Sequence, residues 1–151
     1  VLIGQNLGVG NPERAERVVW RIAAAGVVTL STLAFFVFLR AEAFAAIVAK
    51  DPAVLAETTR YLQINMIAQP FIALSLALSG GLHGAGDTRG TMWVIIIATW
   101  LIRLPMAYGL ALLLGFGATG IWWSMVISVV CQSVLMARRF RSGQWKHLKL
   151  E

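Results

Sequence analysis

The residues that could do chemistry in this chain sit inside long apolar runs. At 100° per residue, Tyr61, Asn65, Gln69, Ser75, Ser79 and His83 fall within an arc of roughly 120° on one helical face, and only Gln63 lies away from it. Ser124, Ser128, Cys131 and Gln132 share an arc of about 100° in a later run. Arg103 is the one charge inside its run, two residues before Pro105. A polar group facing hydrocarbon is costly, so these stripes should face protein or a water-filled cavity. Two readings stay open for each stripe: a substrate or ion pathway, or helix–helix packing in which Ser, Asn and Gln bond across an interface. For Arg103 a functional charge competes with a structural role, which is favoured: holding two helices together or snorkelling toward water. The proline at 105 frees a carbonyl that could accept from it.

Other chemistries find no support. His83 and His147 lack metal-ligand neighbours at useful spacing, and Cys131 alone makes neither a disulfide framework nor a cysteine metal cluster. His83 is expected to be a surface-turn residue. No nucleophile–base set or pair of carboxylates is visible, so the chain does not read as an enzyme. The glycines around position 84 resemble a nucleotide-binding fingerprint but follow no strand.

These residues must be positioned by membrane-spanning helices. In the 151-residue sequence, 58% of residues are hydrophobic and 13% charged, with a mean hydropathy of +0.74. That charged share is about half of what soluble domains carry. A net charge of +6 would suggest nucleic acid in a soluble protein. Here the positive residues cluster at the ends of apolar runs, so they orient the chain in a bilayer and no nucleic-acid partner is expected.

Along the chain, residues 1–10 read as the end of a preceding transmembrane helix, and the chain as a fragment lacking its N-terminal part. Asn11-Pro12-Glu13 is a helix start, with Asn as the cap and Pro at the first helical position. Four spans follow between 11 and 141, at about 18–39, 61–82, 91–114 and 121–137. The first, at 1.5 Å per residue, covers roughly 33 Å. AFAAIVA (43–49) is too short to span and is expected at the interface. Asp51-Pro52 repeats the start signal. Gly80–Gly90 (GGLHGAGDTRG) reads as a tight turn between spans, its glycines free to take positive φ and Asp87 or Thr88 capping the next helix. Gly115–Gly120 is a second turn. Residues 142–151 form a basic cytoplasmic tail, with Trp145 suited to an interface. Arg14, Arg17, Arg21, Arg89, Arg138, Arg139, Arg141, Lys146 and Lys149 fall on one side of the membrane and Arg40, Lys50 and Arg60 on the other. This bias places the central turn and the C-terminus in the cytoplasm. The fold expected is an all-α, polytopic membrane helix bundle.

Four segments in this order and spacing, GQNLGVGNPERAERV (4–18), GGLHGAGDTRG (80–90), WLIRLPMAYGLA (100–111) and GATGIWWSMVIS (117–128), resemble the C-terminal half of multidrug and toxic compound extrusion (MATE) transporters. The resemblance implies part of one six-helix lobe of a two-lobe protein in the plasma (inner) membrane. It also implies export of organic, cationic, drug-like compounds in exchange for Na+ or H+. The partners implied are the lipid bilayer, the small-molecule substrate and the missing N-terminal lobe of the same chain. Gly4, Gln5, Gly84, Gly86, Asp87, Thr88 and Arg89 carry over as structural motif positions. Two departures stand out: His83 replaces the family's usual Arg, and Tyr61–Leu82 lacks the acidic cation-binding residue of some members. The coupling-ion site is therefore expected outside this fragment, with no other cofactor. The pathway candidates are Tyr61, Asn65, Gln69, Ser75, Ser79, Ser128 and Gln132, with Arg103 as the intramembrane charge. A lipid-linked precursor flippase of the wider superfamily is the alternative transporter. A non-transporting membrane assembly protein is the alternative outside transport.

Overall fold

The computed structural model describes residues 12–147, all helices and short connections among those residues. Helix α1 is Pro12–Leu39, α2 Ala41–Val48 and α3 Pro52–Gly84. Helix α4 runs through Thr88–Leu113 and α5 through Gly117–Arg141, followed by a 3₁₀ turn at Gln144–His147. Helices α1, α3, α4 and α5 are long and apolar enough to cross a membrane. The four spans expected from hydropathy fall on them; α3 and α5 extend beyond theirs at both ends, α1 only at its start, and α4 begins earlier but closes at Leu113. Helix α1 begins at Pro12 as expected; Asn11 and residues 1–10, with Gly4 and Gln5, lie outside the described residues.

Helix α3 is central, with α1 along one side and α5 along the other, and α4 packs on α5. The short α2 lies on α3. The inner helices α3 and α5 bury more of their length than α1 and α4. Large apolar side chains such as Phe35, Phe36, Trp93, Trp100, Leu101 and Leu112 stay exposed on the outer two. An apolar periphery of this extent suits lipid or further protein.

Local chemistry explains the helix ends. Asp51 caps α3, its Oδ1 accepting from the backbone N–H of Ala53 at 2.8 Å and of Val54 at 3.3 Å. Helix α3 continues through Pro70 without a break. It also continues through Gly80, Gly81 and Gly84, which were expected in the turn. Only Gly86 there has positive φ, at 84°. It closes α3 in a Schellman arrangement: Asp87 N–H donates to the Leu82 carbonyl at 2.9 Å and Gly86 N–H to that of His83 at 3.0 Å. One left-handed residue suffices to turn the chain, and of the glycines before it Gly81 serves packing. A Cβ on Gly81 would lie 3.0–3.2 Å from Val19 and Phe140, so α1 and α5 approach the α3 backbone there.

Helix α4 departs from regular α geometry. Ile97–Arg103 and Gly109–Leu113 are π-helical. Pro105 supplies no N–H, and in a regular helix its ring would strike the carbonyl one turn back. The wider turn just before it relieves that conflict, with Leu104 N–H reaching back to the Thr99 carbonyl. The second expected turn is also shorter than the sequence suggests. Helix α5 starts at Gly117, and Gly120 lies inside it. A Cβ on Gly120 would come 2.7–2.9 Å from backbone atoms of Leu110 and Ala111, so this glycine lets α4 and α5 touch backbone to backbone.

Trp145 is not at a surface: it is 1% exposed. A left-handed Gly143 (φ 70°) turns the chain back after α5. The indole then donates to the Phe140 carbonyl at 2.8 Å and stacks on the Phe140 ring at 5.0 Å. This carbonyl, at the end of α5, also accepts from the Gly143 N–H at 3.4 Å. Trp145 closes a core with Ala15, Val19, Leu78, Leu82, Met136 and Phe140 at this end of the bundle.

Candidate functional site

The polar residues of α3 divide into two groups once α5 is in place. Ser75 is buried and accepts from Gln132 Nε2 of α5 at 3.1 Å. This pair bonds across the central helix interface, as packing requires. One turn and more toward the other end, Tyr61, Asn65 and Gln69 stay partly exposed. Asn65 Nδ2 donates to the Tyr61 hydroxyl at 2.9 Å. The Tyr61 ring meets Trp122 of α5 edge-on, with centroids 5.5 Å apart. Tyr61, Asn65 and Trp122 line a small crevice with Ile64, Ala68 and Met125. Tyr61 and Trp122 also form the wall of an open hollow of about 490 Å³ bounded by Glu57 and Thr58. Ser79 is half-buried, and His83 is exposed at the end of α3.

In α5, Ser124, Ser128 and Ser133 are buried, and each hydroxyl donates to a carbonyl three residues earlier. Ser128 has a second role. Its Oγ accepts from Arg103 Nε of α4 at 2.8 Å. Arg103 therefore bonds to a side chain of the neighbouring helix and not to a carbonyl freed by Pro105. The wider turn in α4 ends at Arg103, two residues before the proline. Cys131 is half-buried and free. No cluster of metal-ligating side chains occurs among the described residues.

The most tightly built polar site is at the bundle end, where the sequence offered only motif positions. Asp87 caps α4, its Oδ1 accepting from Gly90 N–H at 3.1 Å. The same carboxylate takes a two-point ion pair from Arg139 of α5, Nε to Oδ2 at 2.7 Å and Nη2 to Oδ1 at 2.9 Å. The Asp87 carbonyl also accepts from the Thr91 hydroxyl at 2.9 Å. Asp87 is 5% exposed and the Arg139 side chain 32%. The Arg139 hydrogen bonds hold the Asp87 carboxyl below its ordinary value of 3.8, the Gly90 N–H adding to this against partial burial. Gly90 makes room for the pair, because a Cβ there would collide with the Arg139 guanidinium. Thr88 and Arg89 are exposed on the same turn, and Gly84 ends α3. The sequence shows Asp87 as a cap. Nothing in it shows that Arg139, separated by a whole span, is its partner; the Gly at 90, three residues past the cap, is the only trace.

Comparison with known proteins agrees with this architecture. A family model described as MatE matches residues 1–109. The chain is 28% identical over 145 residues to the probable multidrug resistance protein NorM of Thermotoga maritima, covering 96% of this chain and 31% of that protein. It is 33% identical over 145 residues to the multidrug resistance protein PmpM of Pseudomonas aeruginosa, covering 92% and 30%. Against the multidrug resistance protein MdtK of Yersinia pseudotuberculosis it is 29% identical over 145 residues, covering 93% and 32%. It thus spans about a third of the length of these relatives. With four membrane-length helices in this order and a family model matching most of its length, the chain belongs to the MatE family of membrane transporters.

Proposed function

We propose that this chain contributes part of one lobe of a secondary transporter that exports organic, cationic compounds in exchange for Na+ or H+ by alternating access. The observation that carries this reading is the half-exposed polar face of α3 at Tyr61, Asn65 and Gln69, lying in a MatE-family helix beside the α5 ring of Trp122. Polar groups at membrane depth that are not consumed in helix packing call for water or a ligand. Ser75, Gln132 and Ser128 are consumed, and they act as the scaffold behind that face. The names of the relatives, multidrug resistance proteins, support drug-like substrates. An aromatic face such as that of Tyr61 or Trp122 attracts an organic cation. The coupling ion is held elsewhere in the complete protein, since the membrane-spanning part of α3 carries no carboxylate. The protein lies in the plasma (inner) membrane with the Asp87 turn and the C-terminus in the cytoplasm. The charge bias supports that orientation, with Arg17, Arg21, Arg89, Arg138 and Arg141 at one end of the bundle.

The test is Asn65→Leu with Gln69→Leu in the complete protein. Gradient-driven efflux of a cationic dye from vesicles is expected to fall at least about tenfold, the equivalent of one lost hydrogen bond to ligand. Membrane insertion should be unchanged. Normal efflux by that variant would rule out the α3 face as the pathway, and lipid flipping in place of dye movement would favour a flippase.

A further inference from the structure

The bundle end that carries the Asp87–Arg139 pair also carries arginines with no carboxylate partner. Arg17, Arg21, Arg138 and Arg141 are exposed, and none lies within 4.0 Å of a carboxylate among the described residues. Arg139 shows what a satisfied arginine looks like on this rim; these four differ from it. Aromatic packing joins the two helices that carry them. The Trp20 ring of α1 meets Phe140 of α5 edge-on at 5.9 Å, and Phe140 stacks on buried Trp145. Arg141 extends from α5 over the outer face of Trp20, its Cζ 5.5 Å from the ring centroid. Arg138 lies one turn before Arg141 on the same face of α5, about 4.5 Å deeper along the axis. Arg17 lies one turn before Trp20 on α1, and Arg21 one turn beyond Arg17.

Two acidic residues share this part of α1, Glu13 and Glu16. Both fall in its first turns, on the aqueous side; Glu13 lies one turn before Arg17 and Glu16 one turn before Trp20, each about 6 Å along the axis. Beyond Glu16, the next charged residues of α1 are Arg17 and Arg21, both positive, before its long apolar run. An arginine fork matches a phosphodiester in two-point geometry, and a tryptophan at headgroup depth is at home there.

We propose that the outer surface where α1 meets α5 through Trp20 and Phe140, with Arg17, Arg138 and Arg141, holds the headgroup of an anionic phospholipid. The ligand is phosphodiester in class and membrane-anchored. Aromatic packing sets the spacing of the two helices, so the headgroup bridges them and ties the outer helix α1 to α5.

The complete protein, purified in mild detergent, is titrated with dioleoylphosphatidylglycerol or dioleoylphosphatidylcholine and bound lipid is counted by native mass spectrometry. The wild type should retain the glycerol lipid in clear preference to the choline lipid. Arg138→Gln should weaken that preference about fivefold, and the triple change Arg17→Gln, Arg138→Gln, Arg141→Gln at least about twentyfold. Arg89→Gln removes one charge from the same rim away from Trp20 and should change little. If the triple variant fails to fold, the comparison of Arg138→Gln with Arg89→Gln decides alone. Equal retention of both lipids, or an equal loss from Arg89→Gln, would overturn the proposal. So would full competition by soluble glycerol phosphate, which would make the site one for a free anion.

Discussion

Gly90 and Arg139 should behave as one unit, and the structure says by how much. In the wild type, alanine at 90 places a methyl where the guanidinium lies, in collision with Nε, Cζ and Nη2. The arginine must leave, and both of its bonds to Asp87 go with it. Asp87, which is 5% exposed beside Arg139, then keeps only the backbone N–H of residue 90 as its side-chain partner. Breaking a buried ion pair costs about 3–5 kcal/mol. Arg139 is 32% exposed and regains water when displaced, which lowers the expected cost of Gly90→Ala to about 2–3 kcal/mol. In an Arg139→Ala background the collision is gone. Alanine then contributes only its helix preference over glycine, a gain of up to about 1 kcal/mol. The coupling between the two sites is therefore about 2–4 kcal/mol, well outside the scatter for independent sites.

The assay is a double-mutant cycle on the complete protein in detergent micelles, read by denaturant or thermal unfolding. Gly90→Ala should destabilise the wild type and be neutral or stabilising beside Arg139→Ala. Equal cost in both backgrounds would refute the reasoning. The α4 turn would then need glycine for its own backbone and not to admit the arginine.

Three further outcomes follow from other contacts. The Asp87 carboxyl titrates below its ordinary value of 3.8 because Arg139 bonds to it, so its contribution to stability is complete above that value and declines as pH falls through the lower, folded-state value. Unfolding midpoints measured from pH 6 down to about pH 3 should therefore drop more steeply in the wild type than in Asp87→Asn, which has no proton to gain. Gly120→Ala should destabilise by about 2 kcal/mol or more, because its Cβ meets the Leu110 and Ala111 backbone at 2.7–2.9 Å and no side chain can move aside; unfolding in micelles reads this directly. Ser128→Ala removes the acceptor for Arg103 Nε and should cost about 1.5–3 kcal/mol, as for a hydrogen bond to a charged group, whereas Ser133→Ala, whose hydroxyl reaches only its own helix, should cost less in the same assay.

How far the sequence leads can be judged from particular residues. Apolar length located all four long helices, since hydrocarbon thickness and backbone satisfaction leave few alternatives, and Asp51-Pro52 located the start of α3. Asp87 was legible as a cap because capping is local. Arg139 as its partner was not, because the pairing depends on α5 returning beside the α3–α4 turn. The glycines misled for a related reason. A glycine looks the same in sequence whether it supplies positive φ, as Gly86 does, or removes a side chain for a neighbour, as Gly81, Gly90 and Gly120 do. Pro105 marked a disturbance in α4 but not its form, and the widened turn sends Arg103 to Ser128 and not to a carbonyl.

The polar stripe of α3 carries the same lesson into function. Its six residues share one helical face, yet α5 covers only part of it. Ser75 is bonded to Gln132 behind a packed interface, while Tyr61, Asn65 and Gln69 keep access to the open side of the bundle. Helical periodicity assigns all six the same direction, and only the neighbouring helix separates scaffold from surface. A change at Ser75 should therefore act on stability, whereas changes at Asn65 and Gln69 should act on transport with stability little altered. Of the two readings left open by the stripe, packing holds at Ser75, and the pathway is what we propose for the stretch from Tyr61 to Gln69.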